Sequence, residues 1–155
     1  MTVPSPDRAP AELLTGTALT VFRLNGQFLS ASEELAREAG LTAARWQVLG
    51  SVTTEPLSVS AIARGLGTSR QSVQRIADLL VGQGLAEYRP NPAHHRAKLL
   101  APTEEGRTAL RRITPSHRRL ADALLAELGP EEAREALETL HRLSAAMDRI
   151  GGAGP

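Results

Sequence analysis

Cysteine is absent from the 155 residues, which excludes disulfides, thiolate zinc sites, a thioredoxin-like pair and cysteine-based peroxide sensing. Aromatic residues are scarce, at 3%, so the core must be aliphatic, a composition that suits helices better than β-sandwiches. Lysine is nearly missing too: Lys98 is the only one, and the remaining positive charge is arginine. No apolar run approaches the roughly 18 residues of a membrane span, and the opening MTVPSPDRAP lacks the apolar stretch of a signal peptide. A cytoplasmic protein is expected. Catalytic signatures are also missing, with no Gly-rich phosphate loop, nucleophile elbow or HExxH. The adjacent carboxylates Glu33-Glu34, Glu104-Glu105 and Glu131-Glu132 point in different directions on a helix and read as caps and solvated faces. His94 and His95 sit together, whereas His117 and His141 lie far apart without zinc-site spacing. Neither an enzyme nor a cofactor or metal site is expected.

What is present is ordinary globular usage, 41% hydrophobic and 23% charged, in a length suited to one domain. Pro4, Pro6 and Pro10 predict a disordered arm over 1–10, and Gly151, Gly152, Gly154 and Pro155 a loose tail over 151–155. The net charge of +1 hides an asymmetry: between Arg64 and Lys98 six basic residues face two acidic ones, whereas the remainder is net acidic. A basic middle invites an acidic partner.

Apolar residues near helical spacing predict a long helix from about Ala11 to Ala39, weakened at Gly26, where Ser30 and Ser32 offer a second start. A second helix follows the cap Thr42 and ends near Glu55-Pro56. A third starts after Ser58 and stops at Gly67. Thr68 and Ser69 then cap a fourth, Arg70 to Gln83, closed by Gly84. Two helices across so short a turn have the spacing of a helix-turn-helix. Leu85 to Arg89 and Ala97 to Ala101 read as strands around the polar turn Asn91-Pro92-Ala93-His94-His95, a two-stranded wing. Thr103-Glu104-Glu105 opens a fifth helix to about Leu128, which Pro115 should kink or divide. Gly129-Pro130 opens a sixth, striped by Ala136, Leu137, Leu140, Leu143, Met147 and Ile150.

At about 100° per residue, Val73, Ile76, Ala77 and Leu80 of the fourth helix share one sector. Arg70, Gln71, Gln74, Arg75 and Asp78 occupy the opposite one. A solvated face is the ordinary explanation of such a sector. The capped turn, the following hairpin and the local positive charge favour a DNA-reading face instead. Arginine is bidentate to guanine, glutamine to adenine, and serine hydroxyls reach phosphates.

This order of elements resembles the multiple-antibiotic-resistance regulator (MarR) family of transcription factors over residues from about 11 to 150. The resemblance is carried by Leu41-Thr42 with Arg45-Trp46-Gln47-Val48-Leu49, Ile62-Ala63, Leu66-Gly67, Ser69, Ser72-Val73, Arg75-Ile76 and Gly84-Leu85. Asn91-Pro92, Arg96 and Thr103-Glu104-Glu105-Gly106 complete it. It implies a mainly α fold, a winged helix-turn-helix with a two-stranded β-wing (41–103) and N- and C-terminal dimerisation helices (11–40 and 104–150). It further implies a homodimeric repressor on a pseudo-palindromic double-stranded DNA operator.

Transferred position by position, the resemblance puts Ser69, Arg70, Gln71, Ser72, Gln74 and Arg75 at base edges or phosphates, and Arg96 in a minor groove. His94, His95 and Lys98 of the wing join the expected contacts. Family members often carry an aspartate two positions before the wing arginine; here it is His94, which when protonated can touch phosphate. Arg64 fits a solvated charge as well as a phosphate contact. Leu14, Val21, Leu137, Leu140, Leu143 and Met147 are expected at the dimer interface, although an intramolecular bundle would also cover the sixth helix. Small aromatic or phenolic effectors are common in the family. Phe22 and Trp46 are candidates to line such a pocket, with core or subunit packing as their ordinary role. The competing reading is a winged-helix module that binds protein and reads no DNA.

Overall fold

A computed structural model describes residues 9–152. The elements run α1 (Ala9–Arg37), α2 (Ala43–Ser51), β1 (Leu57–Ser58), α3 (Val59–Leu66), α4 (Arg70–Gly82), β2 (Ala86–Arg89), β3 (Leu99–Pro102), α5 (Glu104–Leu128) and α6 (Pro130–Gly151). The expected arm lies outside the described residues up to residue 8, as does the expected tail from residue 153. Ala9 and Pro10 open α1 rather than closing the arm, because a first-turn proline has no amide hydrogen to leave unpaired. Helix α1 continues unbroken through Gly26 and Ser30; a lone glycine weakens a helix without ending it.

Local caps explain the helix starts. Thr42 Oγ1 accepts from Arg45 N at 3.2 Å, and Glu33 Oε1 adds a second acceptor for the start of α2, 3.0 Å from Ala43 N. Helix α2 ends at Ser51, earlier than Pro56 would require, because the Thr53 hydroxyl donates to Gly50 O at 2.8 Å and turns the chain. Ser58 Oγ accepts from Ala61 N to start α3. Gly67 stops that helix in the left-handed region, at φ 64°, where a side chain would be strained. Ser69 Oγ caps α4 by accepting from Ser72 N at 3.1 Å.

The sheet has three strands in the order β1-β3-β2, all antiparallel. The expected wing pair is present as Ala86–Arg89 against Leu99–Pro102. The extra strand, β1, pairs Leu57 with Leu100 and Ser58 with Leu99; two residues are too few to show an alternating pattern.

The described chain falls into two compact units that divide between Ile113 and Thr114. The first is built on a buried aliphatic core. Leu49 and Val52 from the α2 region, Ile62 from α3, Val73, Ile76 and Leu80 from α4, Leu100 from β3 and Ile113 from α5 meet there. The apolar sector of α4 is therefore the buried one. The second unit comprises the rest of α5 and α6, and α6 buries none of its residues. Leu120, Leu124, Leu137, Leu140, Met147 and Ile150 are exposed on it. Pro115 is carried inside α5 rather than dividing it. Among the described residues no helix is long and apolar enough to cross a membrane.

One junction fixes the root of the wing. Gly84, at φ 75°, ends the α4 turn, and its carbonyl accepts from Thr103 Oγ1 at 2.6 Å. Thr103 Oγ1 in turn accepts from Gly106 N at 3.1 Å, so one hydroxyl starts α5 and ties it to the end of α4. Leu85 O accepts from Thr103 N, and a Cβ on Gly106 would stand 2.0 Å from that carbonyl oxygen. Only glycine fits this approach. Gly106→Ala should lower unfolding free energy by about 1–3 kcal/mol through overpacking. Gly65→Ala, in α3 with nothing within 4 Å of its Cβ position, should raise it by about 0.5–1 kcal/mol. Urea unfolding followed by the fluorescence of Trp46, the only tryptophan, checks both. Equal midpoints for the two variants would refute the account.

Candidate nucleic-acid interface

The candidate site lies wholly in the first unit, because α4 and the wing both spring from its core. Burial of Val73, Ile76, Ala77 and Leu80 turns Arg70, Gln71, Arg75 and Asp78 to solvent, with Gln74 and Ser72 half-buried between. A cleft of about 270 Å³ opens beside this face, lined by Ser58, Val59 and Ser60 at the start of α3, Arg70 and Gln74 of α4, Tyr88 of β2, and Arg96, Ala97 and Lys98 of the wing loop. Arg70, Arg96 and Lys98 thus converge from two elements on one cleft. Among the described residues none of them, nor Arg75, is paired with a carboxylate. Free guanidinium and ammonium groups around a concave surface suit an anionic ligand.

Two serines divide their work. Ser69 Oγ caps the helix and donates its hydrogen to Ser72 Oγ at 2.8 Å. Ser72 therefore keeps its own hydroxyl hydrogen for an outside acceptor. In the wing loop, Asn91 Oδ1 accepts from Ala93 N at 3.0 Å, an Asx turn. His94, His95 and Arg96 are exposed beyond it. His94 and His95 stand outside the cleft lining, whereas Arg96 is part of it. Arg64 is exposed in the last turn of α3.

Sequence reasoning left two members of the site without a role. Gln74 Nε2 donates to Asp78 Oδ1 at 3.0 Å and to Tyr88 OH at 2.9 Å, and Tyr88 OH donates to Asp78 Oδ1 at 2.5 Å. The Gln74 and Asp78 spacing of one helical turn is a readable signal. Tyr88 depends on the strand meeting the helix, which no local pattern reports. Burial, followed by the hydrogen bond and charge of Asp78, pushes the Tyr88 phenol up from 10.0 to about 12, partly opposed by Gln74.

The remaining expected residues lie elsewhere. Phe22 is exposed on α1, and Trp46 is half-buried against the core of the first unit; neither lines the cleft. Leu14 and Val21 of α1 and Leu137, Leu140 and Met147 of α6 are exposed, with Leu143 half-buried.

Tyr88 is the only tyrosine, so absorbance titration reads it directly. Its midpoint should lie near 12, and Asp78→Ala should move it down toward the ordinary 10. Because the folded value is raised, the stabilisation is full below pH 10 and fades as pH rises through about 12. An alkaline unfolding series on wild type and Tyr88→Phe checks this, and identical profiles would contradict it.

The model of the MarR family matches residues 39–97, the second helix through most of the wing loop. An uncharacterised protein of Mycobacterium tuberculosis, Rv2011c, is 41% identical over 131 residues, 82% of this chain and 89% of that one. Among solved structures, a MarR mutant from E. coli complexed with operator DNA shares the fold at a TM-score of 0.73, with 20% identity over 90% of this chain and 99% of the other. Bordetella bronchiseptica BpsR, whose DNA binding is regulated by 6-hydroxynicotinic acid, has a TM-score of 0.72 at 18% identity, covering 83% and 98%. The matched segment is the winged lobe, and the fold shared with these solved structures extends over most of the chain: it belongs to the MarR family.

Proposed function

We propose that the chain is a sequence-specific double-stranded DNA-binding regulator, a cytoplasmic homodimeric repressor that leaves its operator when a small aromatic acid binds. The carrying observation is the set of unpaired cations, Arg70 and Arg75 on the exposed face of α4 and Arg96 and Lys98 on the wing, gathered beside base-reading glutamines. In the major groove Arg75 reaches base edges, Gln71 and Gln74 read beside it, and Ser72 and Arg70 hold phosphates. Arg96 enters the neighbouring minor groove, where negative potential is strongest. Lys98, His94 and His95 meet the backbone. The complex with operator DNA formed by the E. coli relative supports this reading. Regulation of BpsR by 6-hydroxynicotinic acid supports an aromatic effector. Phe22 and Trp46 remain its candidate contacts.

A second copy covers the apolar residues left exposed, Leu14 and Val21 on α1 and Leu137, Leu140 and Met147 on α6, with Leu143 at their margin. Two reading helices then meet successive major grooves about 34–36 Å apart on a roughly palindromic site. Sedimentation should find a dimer at micromolar concentration, and Leu140→Glu/Met147→Glu should shift it toward monomer. A wild-type monomer at such concentrations would refute this part.

Selection of bound sequences from a random duplex pool, at low and high salt, tests the central claim. Wild type should enrich a palindrome that Arg70→Ala/Arg75→Ala loses, with affinity falling steeply as salt rises because phosphate neutralisation releases counterions. Arg75→Ala should cost about 1–3 kcal/mol and relax one base preference, whereas Lys98→Ala should weaken all sequences alike. No enrichment and no salt-sensitive binding by a folded protein would favour the protein-binding module instead.

A further inference from the structure

We infer that Asp78 is itself a base-reading residue: its free carboxylate oxygen accepts a hydrogen bond from the N4 amino group of cytosine, so that α4 selects a cytosine beneath its middle. The inference rests on the DNA-reading function above and adds a specificity determinant to that site.

At about 100° per residue, Asp78 falls between Gln74 and Arg75 around α4, on the sector opposite the buried Val73, Ile76 and Leu80. It is exposed, and it lines a shallow depression on that sector with Arg70, Gln71, Gln74 and Arg75. Along the axis it lies less than one turn beyond Arg75, which is assigned above to base edges. A helix that lays this sector in a major groove therefore carries Asp78 toward bases.

Both hydrogen bonds that Asp78 accepts arrive on one oxygen. Gln74 Nε2 at 3.0 Å and Tyr88 OH at 2.5 Å address Oδ1. Among the described residues Oδ2 has no partner, and the carboxylate makes no ion pair even with Arg75, one turn away. The two donors come from different elements, α4 and β2, and together they limit the rotation of the carboxylate. The Tyr88 phenol, pushed up to about 12, keeps its proton at ordinary pH and so remains a donor. The group is anchored at one end and open at the other.

A carboxylate on a surface that meets phosphates is repelled by every duplex. Anchoring alone does not require the charge, because an amide oxygen accepts the same two bonds. The free oxygen offsets the repulsion only where it meets a donor. An ionised oxygen accepts and never donates, which leaves cytosine N4 and adenine N6 as its major-groove partners. Adenine carries the N7 acceptor beside N6, and a negative oxygen is repelled there. Cytosine has no acceptor beside N4 in that groove, and it is the base the geometry points to.

The test uses the full chain and the duplex enriched from the random pool. Because removing Asp78 also releases Gln74, base preferences are compared in the Gln74→Ala parent, with and without Asp78→Ala. The parent should prefer cytosine by about fivefold at one position, and the second substitution should abolish that preference while strengthening binding to the other three bases. N4-methylcytosine is then placed there; its methyl replaces the amino hydrogen in the major groove and leaves base pairing intact. It should weaken wild type about fivefold and change Asp78→Ala by less than about twofold. Asp78→Asn keeps an oxygen for Tyr88 and Gln74 and puts an amino group where Oδ2 stood. It should lose the cytosine preference too, and it serves if the alanine variants do not fold.

A parent with no cytosine-selective position would overturn the inference, as would a methyl penalty that persists in Asp78→Ala or a cytosine preference that survives in Asp78→Asn. Uniformly tighter binding by Asp78→Ala with an unchanged pattern would reduce the carboxylate to a solvated charge and leave the regulator reading standing. If wild type enriches nothing and binds no duplex, both fail together.

Discussion

The wing and α4 share one root, and the approach of α5 to that root governs the rest of the lobe. Thr103 Oγ1 serves as acceptor for Gly106 N and donor to Gly84 O, while the Leu85 carbonyl occupies the space that any side chain at position 106 would need. The end of α4, the departure of β2, the return of β3 and the start of α5 are thereby held at a single point. Tyr88 reaches α4, and Arg96 and Lys98 reach the cleft, because the hairpin leaves this point in one fixed direction.

The electrostatic character of the site follows from what happens to its two acids. Between Arg64 and Lys98 the carboxylates are Asp78 and Glu87. Glu87 is paired with Arg89 at 2.8 Å, and Asp78 accepts from Gln74 and Tyr88. Neither forms an ion pair with Arg70, Arg75, Arg96 or Lys98, and Arg70, Arg96 and Lys98 line the concave side between helix and wing. An exposed pair such as Glu87–Arg89 adds little to stability; its effect here is to keep a negative charge occupied on the strand.

Most of the lobe was legible because its signals are local. Thr42, Ser58, Gly67 and Ser69 each act within a few residues of themselves, and each does in the structure what its side chain or its lack of one dictates. The face of α4 followed from helical periodicity alone. Contacts between distant segments were not legible. The pairing of β1 with β3 involves two residues with no pattern of their own, and Tyr88 meets Asp78 across ten positions of sequence. The start of α1 at Ala9 was missed because prolines suggested an arm, although proline is tolerated in a first turn. The tie of Gly106 to Leu85 depends on the arrival of α5, which periodicity cannot convey.

Ser58 has two structural duties, as the last residue of β1 on the sheet ladder and as the cap on α3. Prising the wing away from α3 would thus have to break a ladder pair at the very residue that caps the helix. The helix-turn-helix and the wing are thus joined through one side chain as well as through the core they share. A displacement of the lobe as a unit would therefore leave the shape of the α4 and wing surface intact.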